Sequence, residues 1–168
     1  ELENKAEVMK TRAQTAVYVG LGDRVVAVVG IADTLKPQAQ AVVEELKRKR
    51  IETVMITGDN QATAQAIGKK VGIDQVLAEV LPQDKEAKIR ELQRLASSGQ
   101  RLVVAMVGDG INDAPALAVA DVGLAMGGGT DVAMASAGVT LLRSDIGLVP
   151  KALRLSQATM ANIKQNLL

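Results

Sequence analysis

Val107-Gly108-Asp109-Gly110-Ile111-Asn112-Asp113-Ala114-Pro115-Ala116-Leu117 is the stretch that decides the fold of this 168-residue chain. An apolar run from Leu102 to Val107 leads into it and reads as a buried parallel strand. Two glycines then bracket Asp109, and Asn112 and Asp113 open a short helix with Pro115 in its first turn. Two carboxylates and an amide are thereby gathered at the C-terminal end of a strand, where open α/β sheets place their ligands. Hard oxygens on a tight turn suit Mg²⁺, which takes a few carboxylates together with phosphate oxygens and water. A turn rich in Gly, Asn and Asp also forms for backbone reasons alone, so this loop does not settle the matter by itself.

A second loop has the same construction. Thr53 to Ile56 reads as a strand, Thr57-Gly58-Asp59-Asn60 follows, and a helical pattern starts with apolar or small positions at Ala62, Ala66, Ile67 and Val71. Thr57 and the N–H groups of Gly58 and Asp59 then sit at a helix N-terminus, a ready anion site. In Leu81-Pro82-Gln83-Asp84-Lys85, Pro82 marks a third helix start and Lys85 lies in its first turn. A cation there opposes the helix dipole. That hints at a task such as phosphate binding, against the plainer reading of a solvated surface lysine.

From Pro37 onward, strands and helices alternate. Helices are expected over Pro37 to Lys49, from Gln61, over Pro82 to Leu95 and from about Leu148, with Ser97-Ser98-Gly99 closing the third. Short strands are expected near Val54, Val76, Val103, Val122 and Val139, with a helix between the last two. This alternation argues for a doubly wound parallel α/β sheet. Ahead of it, residues 1 to 13 are helix-compatible, and Thr15 to Gly20 and Arg24 to Ala32 form a candidate hairpin around Leu21-Gly22-Asp23. Gly127-Gly128-Gly129 reads as a loop opening a helix capped by Thr130.

Composition narrows the function classes. Hydrophobic residues at 48% indicate a folded chain, and with aromatics at 1% the core must be aliphatic, as suits a parallel sheet covered on both faces. A net charge of +1 gives no reason to expect nucleic acid, and Lys47-Arg48-Lys49-Arg50 reads as the solvated, dipole-favoured end of a helix. No cysteine means no disulfide and no thiolate metal site. No run of 18 apolar residues spans a bilayer, and no signal peptide is seen.

Three such loops in this order resemble the phosphorylation domain of P-type ATPases, in the haloacid dehalogenase superfamily. The resemblance is carried by Met55-Ile56-Thr57-Gly58-Asp59-Asn60, Pro82-Gln83-Asp84-Lys85 and the 107–117 stretch. It extends to Ile31-Ala32-Asp33-Thr34-Leu35-Lys36-Pro37, similar to the family's hinge, to the segment Ala120 to Ala133, and to the tail Met160 to Leu168. The wording of the last two is closest to the copper pumps of the heavy-metal branch. The resemblance implies a Rossmann-like, haloacid dehalogenase-like fold. It implies a remnant of the nucleotide-binding domain over 1–32, an incomplete phosphorylation domain over 33–150, and a helix toward a membrane segment over 151–168.

By function, it implies part of an ATP-hydrolysing pump that exports heavy-metal ions, most of all Cu⁺, through an aspartyl-phosphate. The alternatives are a soluble Mg²⁺-dependent phosphatase of the same superfamily and a non-catalytic binding module that retained the fold. Residue by residue, Asp109 and Asp113 are implied as Mg²⁺ ligands, with Asn112 in the metal's shell. Thr57 and Gly58 are implied for the phosphoryl group, Asp59 for nucleotide or Mg²⁺ near the domain boundary, and Lys85, Thr57 and Asp113 as catalytic groups. Implied cofactors are Mg²⁺ and ATP; implied partners are the nucleotide-binding, actuator and transmembrane parts of a parent pump, with no heavy metal bound by this piece. A soluble fragment from the cytoplasmic side of an integral membrane protein is the expected setting.

The family's Asp-Lys-Thr-Gly-Thr motif does not occur in this sequence. The piece alone is therefore expected to be inactive; Asp33 in Asp33-Thr34-Leu35-Lys36 is a weak imitation of the nucleophile. With the family's central strand missing, the run Val25 to Ala32 is expected either to fill the central slot or to be exchanged between two chains.

Overall fold

The computed structural model describes residues 2–11, 14–31, 35–94, 101–127 and 131–167. Asp33, the Ala32-Asp33-Thr34 part of the hinge, Ser97-Ser98-Gly99, Gly128, Gly129 and the Thr130 cap lie outside the described residues. The chain divides into two compact units, Glu1–Val80 and Leu81–Leu168.

In the first unit, α1 (Leu2–Thr11) packs on an antiparallel hairpin of β1 (Thr15–Leu21) and β2 (Arg24–Ile31), whose register shifts between Val19 and Gly20. The hairpin is the one expected. The expectation that the β2 run fills the central slot of the parallel sheet is corrected: β2 pairs antiparallel with β1. Seven residues of β1 find partners across a two-residue turn, and this local pairing closes a far smaller loop than a central insertion would. Next come α2 (Ala39–Arg48), β3 (Val54–Ile56), α3 (Gln61–Val71) and β4 (Gln75–Leu77), with β3 and β4 parallel. Val42 and Val43 of α2 and Ala64 and Val71 of α3 are buried, and α3 packs on both α2 and β4.

Helix ends follow local chemistry. Asn60 caps α3 by accepting the Thr63 N–H at 3.0 Å, and Gly72, at φ +86°, closes it in the left-handed region. At the end of α2, Arg50 N–H donates to Lys47 O and Ile51 N–H to Leu46 O, a Schellman closure. Its left-handed residue is Arg50, at φ +60°. Arg50→Gly is expected to stabilise the chain by about 0.5–1 kcal/mol, since glycine enters that region without the Cβ clash but loses more freedom on folding. A rise in the urea midpoint at unchanged slope checks this.

In the second unit, a 3₁₀ turn over Pro82–Asp84 leads into α4 (Lys85–Arg94). A parallel sheet of order β5-β6-β7 follows from β5 (Ala105–Gly108), β6 (Val122–Met126) and β7 (Val139–Leu141). The connecting helices are α5 (Ala114–Val119) and α6 (Asp131–Ser136), and α7 (Leu148–Leu167) ends the chain. β6 alternates as a doubly covered strand must. Ala125 joins Leu117 and Ala133 in one cluster; Leu124 and Met126 join Leu141, Leu148 and Val149 in another. Among the described residues no helix is long and apolar enough to cross a membrane.

Two carboxylates fasten strand ends. Asp74 accepts from the Thr53 N–H and hydroxyl at 2.8 and 2.7 Å and pairs with Lys47 at 2.7 Å. Asp121 accepts from the Val104 N–H at 2.9 Å and pairs with Arg101 at 2.5 Å, and Gln93 bonds to it at 3.1 Å. The Val104 N–H and then the Arg101 guanidinium hold the Asp121 carboxyl below its ordinary range.

Candidate functional site

The loop after β5 folds as expected. Ile111–Asp113 forms one 3₁₀ turn and α5 begins at once, with Pro115 near its start. Asp113 N–H donates to Gly110 O at 3.0 Å, and the Asp113 carboxylate reaches back over the turn. Its Oδ2 accepts the Gly110 N–H at 3.3 Å. Its Oδ1 accepts from Lys85 Nζ at 2.7 Å, with only 18% of the lysine and 12% of the aspartate side chain exposed. This pair explains why a lysine stands against the dipole of α4: the opposing charge comes from the turn before α5, 28 residues later. Lys85 and Asp113, two of the sequence-expected residues, are thus in contact.

Asp109 and Asn112 are exposed on the same turn. Asp109 makes no hydrogen bond or ion pair among the described residues, so its carboxylate is free to take a cation. The donors on offer, carboxylate and amide oxygen, are the hard set that Mg²⁺ prefers. Asp113 differs, because both its oxygens are already engaged by Lys85 and Gly110.

The loop after β3, in the other unit, is a closed Thr turn. Thr57 Oγ1 donates to Asp59 Oδ2 at 2.8 Å and accepts the Asp59 N–H at 3.1 Å. The Gly58 N–H has no acceptor among the described residues, which leaves it available to an anion at the start of α3. Behind this turn lies the segment after β4. Thr57 N–H donates to Leu77 O, Val80 N–H to Thr57 O, and Glu79 N–H to Asp59 O. Glu79 holds that position at φ +56°. Sequence reasoning missed Glu79, because left-handed backbone is signalled by Gly or Asn and not by Glu. It also missed Gly108, whose value is the space it leaves.

A family model described as "Hydrolase: haloacid dehalogenase-like hydrolase" matches residues 1–121. A copper-exporting P-type ATPase of Staphylococcus haemolyticus is 48% identical over 166 residues, covering 99% of this chain and 20% of that protein. The probable copper-transporting ATPase PacS of Synechococcus elongatus is 52% identical over 166 residues, covering 99% of this chain and 22% of its own. The chain thus spans about a fifth of the length of these curated relatives. Among solved structures, a zinc-transporting PIB-type ATPase superposes with a TM-score of 0.82 at 36% identity, covering 99% of this chain and 26% of that one. The catalytic domain of the CPx-ATPase CopB-B gives 0.60 at 29% identity, covering 79% and 50%.

Proposed function

The chain belongs to the haloacid dehalogenase-like hydrolase family, and from that premise we propose that it is part of the phosphorylation domain of a Cu⁺-exporting P-type ATPase. The observation that carries the proposal is the Lys85–Asp113 pair at 2.7 Å, set on a turn that also presents Asp109 and Asn112 at the end of a parallel strand. Phosphoryl transfer needs positioning and charge neutralisation more than covalent help from the protein. A lysine held by an aspartate is a fixed cation for equatorial phosphoryl oxygens, and Asp109 with Asn112 would hold Mg²⁺. When bound, that ion neutralises charge developing on the phosphoryl group. Asp113, occupied by Lys85 and the Gly110 N–H, serves this reading as the holder of the lysine; a role as metal ligand requires it to yield one of those bonds. The Gly58 N–H and the Thr57 hydroxyl are assigned to the phosphoryl group, and Asp59, which fixes the Thr57 rotamer, to nucleotide.

The proposed layout keeps 1–32 with the nucleotide-binding part, 33–150 with the phosphorylation domain and 151–168 leading toward a membrane segment. ATP and the other parts of the pump are its partners, on the cytoplasmic side of the membrane. Copper selectivity is carried elsewhere in this reading, because the sequence contains neither cysteine nor histidine.

Titration with MgCl₂, followed by inorganic phosphate, tests the site by amide NMR. Mg²⁺ is expected to move the Gly108–Asp113 amides, and phosphate those of Thr57 and Gly58. Asp109→Asn is expected to weaken Mg²⁺ binding about tenfold or more, as loss of a coordinating carboxylate should. Shifts scattered over the surface, or an unchanged affinity in Asp109→Asn, would remove the assignment.

A further inference from the structure

Taking the phosphoryl-transfer reading of this loop as its basis, we propose that Gly108 is the positioning residue of the Lys85–Asp113 pair: the side chain it lacks is the space in which Asp113 lies. Gly108 is the last residue of β5, buried and paired in register with Ala125. Its backbone is not in the left-handed region, so the strand does not need a glycine for its dihedrals. It needs one for volume. A Cβ on Gly108 would stand 2.7 Å from Asp113 Cβ and 3.0 Å from both its Cγ and its Oδ2. The closest of these is Cβ, which no rotation about χ1 can move.

Relief would therefore have to come from the backbone of one side or the other. On the Gly108 side the chain is held by the β5–β6 ladder. On the Asp113 side it is held by the Asp113 N–H bond to Gly110 O and by the buried start of α5 at Ala114, Ala116 and Leu117. A shift of the turn is the softer outcome, and it carries Oδ1 away from Lys85 Nζ. The neighbouring glycine is a built-in control. A Cβ on Gly110 would meet Asp113 Oδ2 at 3.6 Å, an ordinary contact. Of the two glycines that bracket Asp109, one makes room for the lysine's counter-ion and the other only donates a backbone hydrogen bond to it.

Trace acetylation of the native chain with acetic anhydride, read by mass spectrometry, reports on the pair directly. Lys85, 18% exposed and paired with a carboxylate that is itself 12% exposed, should react slowly relative to Lys88 on the same helix, which is 38% exposed and paired with the solvated Glu91. Gly108→Ala is expected to raise the Lys85 to Lys88 ratio several-fold, and Gly110→Ala to leave it unchanged. General loosening of the fold would raise both lysines together and leave the ratio flat.

The second readout is a thermal cycle. Gly108→Ala is expected to lower the melting midpoint by about 5 °C, the usual scale for overpacking in a chain of this size. In an Asp113→Gly background most of that loss should vanish, because all three crowded atoms are gone. If Gly108→Ala does not fold alone, recovery of folding in the Gly108→Ala/Asp113→Gly pair supports the proposal and failure of that pair overturns it. An unchanged Lys85 ratio in folded Gly108→Ala, or equal thermal losses in both backgrounds, also overturns it. The labelling uses neither Mg²⁺ nor phosphate. A chain that labels as expected but ignores Mg²⁺ therefore keeps the role of Gly108 and loses the phosphoryl reading.

Discussion

Lys85→Met is expected to destabilise the chain by about 3 kcal/mol, the largest effect of any conservative substitution in this loop. Methionine keeps most of the apolar stem and removes the charge. What remains is the Asp113 carboxylate, 12% exposed, with a single 3.3 Å bond from the Gly110 N–H. A buried ion left without its partner costs more than the pair contributed, because desolvation has already been incurred and only the attraction is lost. Asp113→Asn should therefore hurt less in the Lys85→Met background than in the parent. Urea unfolding of the four chains closes the cycle, with a coupling of about 2 kcal/mol expected between the two sites. A Lys85→Met chain within about 0.5 kcal/mol of the parent would place the pair among ordinary surface ion pairs.

That pair also shows what was legible in the sequence and what was not. Lys85 announced itself by standing against a helix dipole, a local signal. Its partner did not, because nothing at Asp113 indicates which of several nearby groups its carboxylate would face. Metal ligand and lysine holder are equally good readings of Gly-Ile-Asn-Asp until the space over Gly108 is known. The same holds for the strands. The sequence places a strand from Leu102, but β5 starts at Ala105. The Asp121 carboxylate, 17 residues on, takes the Val104 N–H, so the ladder begins one residue later.

The other elements carried their own punctuation. Gly72 closes α3, α7 begins at Leu148 as its pattern indicates, and the hairpin turns between Leu21 and Arg24. Helix α2 begins at Ala39 and not at Pro37, since Pro37 and Gln38 form the turn that enters it. Hydrophobic period and turn residues act within a few positions, and they fixed type and order of the elements. Side-chain clasps across 17 to 28 residues act only once the chain is folded.

Asp74→Ala is the second large effect, expected to cost about 2 kcal/mol at neutral pH, and its pH dependence separates it from a simple loss of contacts. Asp74 stands at the entry of β4 and closes the start of β3 through two bonds from Thr53, a residue only 9% exposed. Deleting the carboxylate leaves the buried Thr53 N–H and hydroxyl without that acceptor and releases Lys47. Hydrogen bonds from the Lys47 ammonium, the Thr53 hydroxyl and the Thr53 N–H hold the Asp74 carboxyl at about 2, against an ordinary 3.8. The folded state thus binds this proton less readily than the unfolded state. Its stabilisation is complete above the ordinary value and is lost as pH falls from there through about 2. With the side chain 30% exposed, solvent screening reduces the charge-dependent share to about 1 kcal/mol. The Asp74→Ala penalty should therefore shrink between pH 4 and pH 2, while the share due to Thr53 persists. Asp74→Asn keeps one oxygen for Thr53 and should show about half the neutral-pH penalty with no slope over that range. A penalty for Asp74→Ala that stays constant down to pH 2 would mean that the Lys47 and Thr53 bonds do not favour the charged form in solution.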